Sequence, residues 1–193
     1  MSKAVIRWAD GVAATFALAV FMSLVLANAA DARTADAATT VSGGAVAGTP
    51  LSKLTAPGAK ATITSTGLAI PPAGAPKSVQ AAIRAGNKIA KKPYKWGGGH
   101  ATLNDSGYDC SGSVSYALRG GKLMTSAMAS TGFMSWGRRG RGDWITIRAN
   151  AGHVYMVIAG LRFDTSASKR TGTRWSTQMR SARGFVATHP PGL

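Results

Sequence analysis

Glutamate is absent from this 193-residue chain, and aspartate supplies all seven of its side-chain carboxylates. After Asp36 only Asp105, Asp109, Asp143 and Asp164 remain. A calcium or magnesium cage needs several converging oxygen donors, so neither is expected, and nothing in the sequence asks for another metal or a cofactor. Any acid–base task for a carboxylate falls to those four residues. Cysteine is equally scarce. Cys110 stands alone, which excludes an internal disulfide framework. Against these shortages stand 23 lysines and arginines and a formal charge of +16. That excess attracts polyanions, whether nucleic acid, anionic lipid or acidic polymer, although an arginine-rich composition also serves solubility alone.

The N-terminus reads as an export signal over residues 1–29. Lys3 and Arg7 give a positive start, residues 12–27 form an apolar run, and Ala27-Asn28-Ala29 is a small-x-small cleavage site. The competing reading is an uncleaved membrane anchor, since a spanning helix needs ~20 apolar residues. Membrane contact is expected only in that case. Either way the chain is expected to be secreted or held in the cell envelope. Residues 30–75 are mostly Ala, Thr, Gly, Ser and Pro, a composition that buries too little to offset chain entropy. They are expected to form a flexible tether, with a short ordered patch at residues 67–72. Residues 76–193 are expected to form one monomeric domain.

Within that domain Val79, Ala82, Ile83, Gly86, Ile89 and Ala90 recur at helical spacing, bounded by Pro76 and Pro93. Val114, Ala117 and Leu118 mark a second helix, entered at or just before Cys110. Two alternating segments, residues 143–147 and 153–166, read as strands, the second turning at Ala159-Gly160. Residues 184–190 suit a last strand. Helices followed by an antiparallel sheet define an α+β class.

Unpaired thiols are a liability outside the cell, so a lone exported cysteine suggests a purpose. A thiol at a helix N-terminus gains from unpaired N–H groups, which favour the thiolate. Asp109 is placed to cap that helix, and Gly112 lets another backbone approach. Of the three histidines, His153 opens a strand, where a rigid element holds a base well. A third group fixing its tautomer would complete the set. A two-residue turn puts Asp164 on the face of His153; a three-residue turn puts Thr165 there instead.

The segments Pro-Tyr-Lys-Trp-Gly-Gly, Asp-Cys-Ser-Gly, Gly-Asp before a strand and Gly-His-Val occur in that order between residues 93 and 154. This succession resembles the NlpC-type cell-wall peptidases, a papain-like cysteine family. The resemblance implies a papain-like α+β fold with N-terminal helices on an antiparallel sheet. It also implies a thiol protease that cuts amide bonds in peptidoglycan stem peptides, usually between γ-D-glutamate and a diamino acid. It implies Cys110 as nucleophile, His153 as base, and Tyr94 beside the thiol for substrate binding or oxyanion support, with Trp96 packing. In such a family the third polar residue is commonly a histidine shortly after the base. None occurs here, which leaves Asp164 or Thr165. Peptidoglycan is then the expected partner, with anionic wall polymers a further candidate. Nucleic acid is not expected, given export and the lack of interleaved aromatics. Two other readings use the same residues: an amidase or acyltransferase with the same dyad, and a non-catalytic wall- or polyanion-binding protein.

Overall fold

Val79, Ala82, Ile83, Gly86 and Ile89 all fall on the buried side of helix α1 (Lys77–Ile89) in the computed structural model, which describes residues 60–193. Pro76 precedes the first turn in an extended conformation, and Pro93 follows shortly after the last. Gly86 is required by packing: a Cβ there would lie 2.7 Å from the Trp175 ring. Its absence lets α1 press against Trp175 and Phe163, whose ring centres are 4.5 Å apart. Helix α2 (Cys110–Gly120) lies against α1 and buries Val114, Ala117 and Leu118. Helices α3 (Ser130–Phe133) and α4 (Ser168–Thr171) are single turns.

Strands β1 (Thr62–Ile63) and β2 (Ala69–Ile70) form a small hairpin of their own. The main sheet holds β3 (Arg138–Arg139), β4 (Ile145–Ala149), β5 (Val154–Ile158), β6 (Leu161–Phe163), β7 (Trp175–Ser176) and β8 (Val186–His189). Its order is β3-β8-β4-β5-β6-β7, and every pairing is antiparallel. The described residues are therefore mixed α+β with antiparallel sheets.

Alternation sorts the strands into two faces. Ile145, Ile147, Val154, Met156, Ile158, Phe163 and Trp175 are buried in the core that also takes the apolar sides of α1 and α2. Each such side chain contributes roughly 1.5–3 kcal/mol through burial. The turn between β5 and β6 is the two-residue kind, with Ala159 and Gly160 both at positive φ, 46° and 82°. Pairing of Ile158 with Leu161 and Met156 with Phe163 follows. One step further along, this register sets Asp164 across from Tyr155 and on the face of His153.

One expectation is corrected. Residues 60–75, read from composition as tether with one ordered patch at residues 67–72, are ordered beyond that patch and tied to the domain. The Ala61 amide donates to the Ala159 carbonyl at 2.8 Å, and the Asn87 side chain exchanges two hydrogen bonds with the Ala69 backbone, both 2.8 Å. Thr173 donates to the Gly67 carbonyl at 2.7 Å. Long-range hydrogen bonds and buried alanines supply what the composition lacks in large apolar residues. The expected signal segment and the rest of the expected tether lie outside the described residues.

Candidate active site

Cys110 is the first residue of α2, half-buried and free of any disulfide. Asp109 is the reason the helix starts there. Its carboxylate accepts from the Gly112 amide at 2.6 Å, one of the N–H groups that a helix start leaves unpaired. The same carboxylate accepts from the Gly97 amide at 3.2 Å and from Nε2 of His100 at 3.1 Å. The glycine loop is thereby fastened to the helix start. Gly112 permits the contact, because a Cβ there would collide with the Gly98 carbonyl.

His153 stands immediately before β5, with its backbone held by a 2.8 Å bond from its amide to Oδ1 of Asn150. Nε2 of the ring donates to Oδ1 of Asp164 at 2.9 Å. Nδ1 is the ring nitrogen left over, and the titration of the imidazole is coupled to that of the Cys110 thiol. Phe185 meets the ring edge-on at 6.3 Å, and Tyr155 stacks alongside. Of the histidines, His100 is engaged with Asp109 and Ser111, while His189 bonds the Gly140 carbonyl beside β3. The structure brings together Cys110, His153 and Asp164. Thr165 begins a 3₁₀ turn (Thr165–Ala167), which Asp164 caps.

The electrostatics of the three groups are coupled. Burial alone would push the Cys110 thiol up, but hydrogen bonds from His153 and the Val154 amide outweigh it and leave the thiol below its ordinary value. Burial likewise opposes the imidazolium of His153; bonds to Asp164 and Cys110 outweigh it and raise its pKa to about 9. Asp164 has no exposed side-chain surface, yet its bonds to His153 and the Ser166 amide hold it well below the carboxylate range. Arg180 and Arg162 add cationic neighbours at 3.3 and 3.5 Å. This arrangement favours a thiolate–imidazolium pair backed by a permanent anion.

Tyr94 is 57% exposed on the loop after α1. Partial burial, then the charges of Cys110 and Asp109, push its phenol up. Trp96 departs from expectation: it does not pack but stands 88% exposed. The glycines around it place backbone, not indole, against α2.

Arg174 went unrecognised in the sequence. It is 1% exposed and has no carboxylate partner among the described residues. Its guanidinium donates to the carbonyls of Ile89, Lys92, Pro93 and Tyr108 and to Oγ of Ser113. Burial lowers its pKa to about 10, so it stays charged at neutral pH. Nothing in a basic tail distinguishes one buried arginine from its exposed neighbours.

The chain matches no family model, and no curated protein matches it.

Proposed function

We propose that this protein is a cysteine peptidase of the NlpC type with a papain-like fold, hydrolysing amide bonds in peptidoglycan stem peptides at the γ-D-glutamyl to diamino acid linkage. One observation carries the reading: His153 donates Nε2–H to the buried carboxylate of Asp164, and its titration is coupled to a thiol at a helix start. The resemblance of the Tyr-Lys-Trp-Gly-Gly, Asp-Cys-Ser-Gly and Gly-His-Val segments to the NlpC-type peptidases is what suggests wall peptides as substrate.

In this mechanism Nδ1 of His153 takes the Cys110 proton, and the thiolate attacks the scissile carbonyl carbon. Charge moves onto the carbonyl oxygen, toward the Cys110 amide, which has no acceptor within its own helix. Tyr94 supports the same oxygen or binds the peptide. The C–N bond breaks as the imidazolium delivers its proton to the leaving amine, forming a thioester. Water, deprotonated by His153, then releases the acid and restores the thiol. Asp164 orients the ring and stabilises its charged form throughout.

Purified protein incubated with peptidoglycan is expected to release soluble peptides bearing a new amine on the diamino acid, read by mass spectrometry. Cys110→Ala is expected to release none. Equal release by that variant, or none by the intact protein, would refute the assignment.

A further inference from the structure

Beside α4 and the edge of the sheet, a groove of about 480 Å³ is lined by Arg162, Ser166, Arg170, Gln178, Met179 and Arg180. Three guanidiniums border it. Among the described residues the carboxylate that reaches any of them is Asp164, which is also held by His153 and the Ser166 amide. Arg180 bonds Oδ2 of Asp164 and Oγ of Ser166, both at 3.3 Å. Its head is fixed over the rings of Tyr155 and Phe185, at 5.3 and 5.2 Å, and so is preorganised. Arg162 reaches Asp164 at 3.5 Å, but its buried Nε has no hydrogen-bond partner. Arg170 makes no hydrogen bond or ion pair among the described residues.

Cationic charge here exceeds what Asp164 neutralises: Arg162 adds charge at the groove wall, and Arg170 has donors to spare. Guanidinium forks match planar and tetrahedral oxyanions alike. We propose that this groove binds a single oxyanionic group, carboxylate or phosphate, against Arg162, Arg170 and Arg180, with Ser166 and Gln178 as neutral donors. Occupancy is felt at Asp164, because the ligand competes for Arg180. The site is independent of the peptidase reading, since binding requires neither Cys110 nor His153.

The test is thermal melting of the full chain, titrated with inorganic phosphate and, separately, with acetate. Chloride holds the ionic strength constant. A saturable rise in Tm is expected with at least one anion; phosphate alone marks a tetrahedral preference and acetate alone a planar one. Arg170→Gln, at an exposed position outside the catalytic set, is expected to weaken the half-saturation point about tenfold, as loss of one charge-assisted bond implies. Arg170→Lys should fall between the two. Cys110→Ala should titrate like the unaltered protein. A rise without saturation for both anions, or the same half-saturation point in Arg170→Gln, overturns the proposal.

Discussion

The guanidinium of Arg174 donates to the carbonyl of Tyr108 at 3.1 Å, two residues ahead of Cys110. Through the same group it holds the carbonyls of Lys92 and Pro93, directly before Tyr94. One buried cation thus fixes both approaches to the thiol.

Arg174→Met is therefore expected to strand several buried carbonyls. A loss of about 3–5 kcal/mol in unfolding free energy is expected, measured by urea denaturation. A loss below about 1 kcal/mol would show that water replaces the guanidinium without difficulty.

Reactivity of Cys110 should follow the coupled titration. Alkylation by iodoacetamide is expected to persist at pH values below the ordinary thiol range, because His153 and the Val154 amide lower the thiol. Peptide hydrolysis is expected to decline as pH rises through about 9, where His153 loses its proton. A stopped-flow alkylation profile and a pH–rate profile check the two limbs separately.

Asp164→Asn keeps the size but removes the charge. Hydrolysis is expected to fall by about 10²–10⁴-fold, since the imidazolium loses its anion and the tautomer its anchor. The alkaline limb should move to lower pH, a shift that a purely structural defect does not produce.

The same pair sets the pH dependence of folding. Asp164 has a depressed folded pKa, so its contribution is present above its ordinary value of 3.8 and is lost on acidification. His153 has a raised one, so its contribution is complete below 6.5 and is lost as pH climbs through about 9. Melting temperature measured across pH should therefore be highest between those limits, and Cys110→Ala should keep the acid side of that curve.

Gly112→Ala places a methyl group against the Gly98 carbonyl, backbone against backbone. A destabilisation of about 1–3 kcal/mol is expected, with slower Cys110 alkylation as the glycine loop is pushed away. Calorimetry and the alkylation rate check both.

Legibility in the sequence tracked how local each cause was. The apolar spacing of α1 and α2 and the Asp109 cap act within a few residues, and they were readable. The β5–β6 register was readable only as two alternatives, and the two-residue turn seen in the structure selects the one that places Asp164 rather than Thr165. Strand starts slipped slightly: β4 begins at Ile145 and β5 at Val154. Of the β1–β2 hairpin only the ordered patch around β2 was anticipated; its pairing with β1 was missed because its support comes from Asn87, Ala159 and Thr173, far along the chain. Arg174 and the exposed indole of Trp96 were missed for a related reason. Their surroundings are assembled only when the termini of several elements converge.

The bond from Ala61 to Ala159 has a consequence for how the protein can be attached to anything. Ala159 follows the last residue of β5, whereas His153 precedes the first, and the six steps along the strand separate them by about 20 Å. Whatever is joined upstream of Lys60 takes its root at the end of that strand remote from the imidazole. Immobilisation on a bead through the leading segment should then leave the sulfur free to meet an insoluble substrate.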